Sequence, residues 1–330
     1  MSTPESPESL REMENLPATP SANDASFESL LPAVTCTLVR AGWWPRPAKW
    51  HPQAFAHANY VAFIAVGGAA DYVIGGEPYH LVPGGVLVMP PNVRRQTQHY
   101  QDNPLRMYSV HFLARLYGVV DFLAACGMPV SLTPPPSLMA ELVGTAQRIV
   151  QDLAECRPGW SLAAQGECAR LVALLWRTAA CQEDTPEGTS EGTRGDTWSA
   201  GTPNAPGVMG ALDRAARLAR LTRLEPVFRA IQARYAEPLT LDALAATIPL
   251  NATYFCELFK EATGLTPLRY VARFRMERVR QLLLSTDASI AQVAARTGFR
   301  DPFYLSRAFH RVEGMSPSEY RAAHLSLDAQ

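Results

Sequence analysis

"GFRDPFYLSRAFHR", residues 298–311, sets the reading of the C-terminal third of this 330-residue chain. Gly298 can adopt the left-handed conformation of a tight turn, Asp301 can cap a helix, and Pro302 fits a first helical turn, where its missing N–H is not needed. In the helix that follows, Tyr304, Leu305, Ala308 and Phe309 are expected to face a core, with Phe303, Ser306 and Arg307 on or beside the outer face. Those outer groups suit DNA bases. Arg pairs bidentately with guanine, Ser bonds several base edges, and an aromatic ring contacts the thymine methyl. The plainer alternative is an ordinary surface helix of a helical hairpin.

The flanking sequence decides between the two. "LDALAATIPLNATYFCELFKEATGLTPLRYVA", residues 241–272, and "IAQVAARTGFRDPFYLSRAFHRVEGMSPSEYRAA", residues 290–323, align at an offset of about 50 residues. Tyr254 then matches Tyr304, Phe259 matches Phe309, Gly264 matches Gly314, Pro267 matches Pro317 and Tyr270 matches Tyr320. Each unit reads as a short helix, a turn and a second helix. Leu241, Leu244 and Ala245 form the first apolar face, Pro249 ends that helix, and Asn251 caps the next. Ile290, Val293 and Ala294 repeat the face in the second unit. This is a helix-turn-helix pattern, whose second helix enters the DNA major groove. Between the units, "PLRYVARFRMERVRQLLLS" reads as a helix carrying Arg269, Arg273, Arg275, Arg278 and Arg280. At roughly 25 Å it can hold two recognition helices near major-groove openings about 34 Å apart. Residues 223–321 carry fourteen basic and ten acidic side chains, a net of +4 in a chain whose total is -1. A polyanion partner is therefore expected for this part alone.

"GFRDPFYLSRAFHRVEGMSPSEYR" is similar to the signature run of the AraC/XylS family of transcriptional regulators, and the resemblance covers about residues 223–322. It implies a bipartite DNA-binding domain, with base contacts at Thr253, Cys256 and Glu257 in the first recognition helix and at Pro302, Phe303, Ser306 and Arg307 in the second. Asn251 and Arg300, beside the two helix starts, complete the expected DNA-contacting set. Pro249 departs from the family's usual Gly and Glu257 from its frequent basic residue. An acid at 257 can accept from cytosine N4 but is repelled by phosphate, so the second unit is the better candidate for direct readout.

Before residue 181 the pattern changes. "TCTLV", "YVAFIAV", "DYVI", "EPYHLV", "VLVMP", "RQTQHY" and "RMYSVHFL" are short β-runs separated by Gly75-Gly76, Pro83-Gly84-Gly85 and Pro91-Asn92, which predicts a barrel or sandwich. Two helical stretches follow, with Leu138, Leu142, Ile149 and Leu153 in one and Leu171, Val172, Leu174 and Leu175 in the other. "YHLVPGGVLVMPPNVRRQTQHY" resembles the effector barrel of the same family, which implies a cupin-like small-molecule sensor followed by dimerisation helices. The expected fold is α+β: an N-terminal cupin-like β-barrel with a helical dimerisation segment, then an all-α domain of two helix-turn-helix units joined by a linker helix. The expected boundaries are a disordered tail at 1–27, the barrel at 28–118, the helical segment at 119–181, a Gly/Thr/Pro/Ser-rich flexible linker at 182–215 and the DNA-binding domain at 216–324.

Arg46, Trp50, His51, Arg94, Tyr108 and His111 are the candidate effector-binding residues, with Trp43 and Trp44 nearby. They combine flat apolar surface with hydrogen-bonding groups, as pockets for sugars or aromatic acids do. A metalloenzyme of the cupin type is the alternative, but His51, His57, His80, His99 and His111 form no H-x-H pair, and no metal or other cofactor is expected. A DNA-repair methyl acceptor is another. The six cysteines show no CxxC pair and no neighbours that would activate a thiol, so no catalytic residue is assigned. The acidic, Pro- and Ser-rich start lacks the basic and apolar regions of a secretory signal, and no apolar run reaches membrane-spanning length, so a cytoplasmic protein with no membrane partner is expected. The expected partners are double-stranded DNA, a small-molecule effector such as a carbohydrate, a second copy of the chain and RNA polymerase.

Overall fold

The computed structural model describes residues 30–45, 56–99, 102–183 and 211–325. The tail at 1–27, residues 184–210 of the expected linker, and Arg46, Trp50 and His51 lie outside the described residues.

The N-terminal part is antiparallel throughout its named strands. β1 (Val34–Trp44), β7 (Arg106–Leu116), β2 (Tyr60–Gly67), β5 (Val86–Met89) and β9 (Ser131–Leu132) form one sheet in that order, with β8 (Val120–Asp121) paired to β7. β4 (Glu77–Leu81), β3 (Ala70–Ile74) and β6 (Arg95–His99) form a second. β2 reads as an unbroken apolar run because both its faces are buried. Val61, Phe63 and Ala65 pack with Tyr72, Ile74 and Leu81 of the smaller sheet. Ala62 and Ile64 join Val110 and Phe112 in the core on the other side.

Helix α1 (Phe122–Ala125) is capped by Asp121, and α2 (Pro136–Glu155) packs on α3 (Trp160–Glu183) and on β1 and β7. The register of β1 against β7 shifts between Leu38 and Arg40, and the Gln165 side chain of α3 accepts the Leu38 N–H at 3.1 Å. The expectation of a purely helical segment over 119–181 is corrected at its start, where β8, α1 and β9 precede the two long helices. Val120 and Leu132 are buried there and complete the larger sheet.

The C-terminal part is all helical among the described residues: α4 (Ala211–Arg223), α5 (Glu225–Arg234), α6 (Leu241–Ala245), α7 (Ala252–Thr263), α8 (Pro267–Ser285), α9 (Ile290–Arg296), α10 (Pro302–Glu313) and α11 (Pro317–Leu325). α4 starts inside the segment expected as linker. The pairs α6/α7 and α9/α10 are the two helix-turn-helix units, and α8 joins them. The expected caps form. Asn251 accepts the Tyr254 N–H, and Asp301 accepts those of Phe303 and Tyr304. Ser289 and Gln292 close a capping box on α9. Gly298 sits at φ +76° with Ala236 O only 2.7 Å from where a Cβ would lie, so both backbone conformation and space require glycine.

The two parts share one apolar core that runs from Leu30 to Phe274. The β7–β8 turn enters the helical part: the Tyr117 ring stacks on Phe228 at 4.5 Å, and the buried Tyr270 hydroxyl donates to Tyr117 O at 3.1 Å. Gly118, at φ +75°, lies against the Phe274 ring.

Candidate functional site

Helix α10 buries Leu305 and Phe309, spaced four apart, and leaves Phe303 77% exposed with Arg307 beside it in solvent. Tyr304 is 57% exposed and lies with its ring tilted against Phe299 at 6.2 Å, which corrects the expectation that it enters the core. The stripe set by Leu305 and Phe309 turns the neighbouring position about 100° away from it. Pro302 and Ser306 are half-buried, and the Ser306 hydroxyl donates to Pro302 O one turn back, leaving its lone pairs as the outward function. Arg300 is exposed just before the cap.

In α7, Thr253 and Glu257 are exposed beside Asn251, whose side-chain oxygen is occupied by capping. Cys256 is half-buried and packs on the core. Phe255, Leu258 and Phe259 anchor the opposite face. Some of the basic surplus of this part is structural. Arg275 donates to Tyr235 O and Glu237 O, each at 2.7 Å, and Arg321 donates to Leu283 O and Ala288 O. Arg280 pairs with Glu277 and with Glu313, at 2.6 Å for the latter, and so ties α8 to α10. Arg300, Arg307, Arg296 and Arg311 stay in solvent on the second unit.

In the strand-rich part, a polar cluster lies between the two sheets. His111 is 5% exposed, its Nδ1 is 3.2 Å from the Asn59 amide nitrogen, and its ring stands edge-on to His57 with centroids 4.8 Å apart. His57 Nε2 is 2.9 Å from the Arg95 guanidinium, which lies over the Phe63 ring at 4.9 Å. Burial, aided by the positive charges of Arg40, His57 and Arg95, pushes the His111 imidazole down to about 3. Burial likewise lowers His57, again with Arg95 and Arg40 contributing. These imidazoles are therefore neutral hydrogen-bonding groups near pH 7. Arg95 itself is pushed down to about 10, mainly by burial, and stays charged.

Two of the expected effector residues are placed elsewhere. Arg94 is exposed and its neighbour Arg95 is buried, because successive residues of a strand face opposite ways. Tyr108 packs on Trp43 with tilted rings 4.6 Å apart on the helix side of β7, whereas His111, of opposite parity, faces the smaller sheet. Of the described candidates, His111 alone lies in the cluster.

A family model described as an "AraC-like ligand binding domain" matches residues 32–171, and one described as a "Helix-turn-helix domain" matches residues 244–323. The chain therefore carries an AraC-like ligand-binding domain and a helix-turn-helix domain. It is 41% identical over 83 residues to the MmsAB operon regulatory protein of Pseudomonas aeruginosa, covering 25% of this chain and 27% of that one. It is 36% identical over 91 residues to the Melibiose operon regulatory protein of Escherichia coli K12, covering 28% and 30%. The chain thus spans less than a third of either relative's length. Among solved structures, it is 33% identical to the DNA-binding domain of AdpA in complex with a target DNA, covering 33% of this chain and 96% of that one with a TM-score of 0.31.

The strand-rich part has a polar cluster that its sequence revealed only in part. Arg95 and His111 were open to a parity argument along β6 and β7. His57 and Asn59 precede β2 in irregular backbone, where no periodicity marks them. Burial pushes the Cys36 and Cys168 thiols up to about 11 and about 12, opposite to what a reactive thiolate needs. Among the described residues, no group of three or more His, Cys, Asp and Glu could hold a metal ion, and no helix is long and apolar enough to cross a membrane.

Proposed function

We propose that this chain is a sequence-specific regulator of transcription that binds double-stranded DNA through α7 and α10 and is modulated by a small polar molecule held between its two sheets. The observation that carries the reading is the pair of capped helices whose inner faces are buried and whose outer faces present Thr253 and Glu257 on one, Phe303 and Arg307 on the other. Helix α8 holds both, and Arg280 locks it to α10. Arg307 reads guanine, Phe303 meets a thymine methyl, and Arg300 neutralises phosphate.

The effector site on this reading is the cluster of Arg95, His57, Asn59 and His111, with Phe63 supplying a flat apolar wall. Neutral imidazoles, an amide and one guanidinium suit a hydroxyl-rich molecule, and a relative named for the melibiose operon supports a carbohydrate. The α2/α3 pair serves as the homodimer interface, RNA polymerase is the downstream partner, the place of action is the cytoplasm, and the chain performs no enzymatic step. The test is retention of DNA from the chain's own upstream region in a gel-shift series across salt, with unrelated DNA as competitor. Specific retention over sites of about 20 base pairs is expected, since two adjacent major-groove contacts lie about one helical turn apart. Equal retention of all fragments would overturn the reading.

A further inference from the structure

Between the strand-rich and helical parts lies a cleft of about 380 Å³ that the polar cluster does not reach. Its walls bring together Arg115 of β7, Arg217 of α4 and Arg273 of α8, with Tyr60 and Asp121 on one side. Asp121 brings one negative charge against their three positive ones, and its Oδ1 accepts from the Tyr60 hydroxyl at 2.8 Å and from the Ala124 N–H at 2.9 Å. Arg217 spans the boundary, donating to Ala262 O of the helical part and to Ala124 O of the strand-rich part. Arg115 donates through Nη1 to Val119 O, but its buried Nε has no hydrogen-bond partner. A buried N–H left without a partner is costly, and a guanidinium fork lining a cleft is shaped for a planar oxyanion.

We infer that this cleft is a binding site for a small multiply charged oxyanion, carboxylate or phosphate, which bridges Arg115 and Arg273 and so clamps the two parts together. The site is separate from the cluster between the sheets and asks for the opposite ligand character, charged where that cluster takes hydroxyls. Arg273 is held below its ordinary guanidinium value by partial burial and then by repulsion from Arg115 and Arg280, only partly offset by Glu277 and Asp121. An anion between Arg115 and Arg273 removes that repulsion. The cleft is roomy enough for a molecule of metabolite size. Its consequence for DNA binding rests on the regulator reading above; its occupancy does not.

The test is calorimetric titration of the full chain with succinate and, separately, with inorganic phosphate, at ionic strength held constant with chloride. Saturable binding of at least one anion is expected, weakened about tenfold or more by Arg273→Gln and less by Arg273→Lys, which keeps the charge without the fork. Succinate binding alone assigns a carboxylate ligand and phosphate binding alone a phosphate. Should Arg273→Gln lower the melting temperature of the free protein, Arg115→Gln is read in the same way. No saturable heat with either anion, or undiminished affinity in both variants, overturns the inference. The gel shift run in parallel separates the two claims. Specific DNA retention without anion binding removes the cleft site alone, and anion binding without specific retention removes the regulator reading alone.

Discussion

Arg307 shows how little of a residue's role its type decides. Like Arg296, Arg300 and Arg311 it lies in solvent, but in α10 it stands one turn after Phe303 on the face away from Leu305 and Phe309, whereas Arg280 of α8 is consumed by Glu277 and Glu313. Arg307→Ala is expected to cost about 1 to 3 kcal/mol on the specific site and to relax preference at one base, with little change on unrelated DNA. Competition gel shifts measure both; an equal loss on both DNAs would reassign the side chain to phosphate. His111 gives a second prediction at this scale. Its imidazole titrates at about 6.5 when unfolded and is pushed down to about 3 in the fold, so the unfolded chain takes up a proton that the native state refuses. The stability it contributes is complete above the unfolded value and is lost as pH falls through the window between the two. His111→Gln is expected to flatten the decline in melting temperature between about pH 7 and pH 4.5. An unchanged slope would show that other groups, His57 included, control it.

At the scale of elements, spacing and capping were readable because each is set within a few residues. Asn251 and Asp301 cap the helices that their positions foretold, and the short strands fell where turn residues bracketed apolar runs. What spacing left open was which strand face turns inward. Arg94 and Arg95 are adjacent and alike, and the pairing of β6 with β3 decides that Arg95 is the one enclosed. The alternation of β7 does put Tyr108 and His111 on opposite faces, so that distinction was available once the strand was placed. How elements are held to each other is a separate matter. Glu313 closes α10 onto α8 through Arg280, with both side chains less than a quarter exposed. Glu313→Ala is expected to cost about 1 to 2 kcal/mol, between the values of exposed and buried pairs. Urea unfolding measures it, and specific DNA affinity should fall with it if α10 loses its orientation.

At the scale of the whole molecule, the shared core makes the strand-rich and helical parts one packed unit. Tyr117 is 3% exposed and stacks on Phe228, which in turn meets Phe259 and Tyr270 with centroids 5.6 and 5.4 Å away. The Tyr117 hydroxyl, by contrast, is buried without a hydrogen-bond partner. Tyr117→Ala is therefore expected to remove about 3 kcal/mol or more and split the calorimetric transition in two, whereas Tyr117→Phe should leave one transition of equal or greater stability. A single unchanged transition in the alanine variant would mean that the two parts do not depend on this contact. A signal from ligand to DNA also has a short route here, from β7 through the Tyr117 turn to α5 and α8, with no need to pass along the residues between α3 and α4.

The sequence by itself determined what local physics controls: two helix-turn-helix units from a repeat with its glycines, prolines and caps in register, a strand-rich part from bracketed apolar runs, and an exposed arginine-bearing recognition helix. The tertiary structure decided what depends on residues far apart in the chain meeting. His57, Arg95 and His111 come together only when two sheets close over them. Tyr117 meets Phe228, and Arg115 meets Arg273, only when a strand turn docks on helices more than a hundred residues away. Packing partners at that separation leave no periodic trace in either segment, because each side chain is shaped for the core by its type alone and the choice of neighbour is made by the fold.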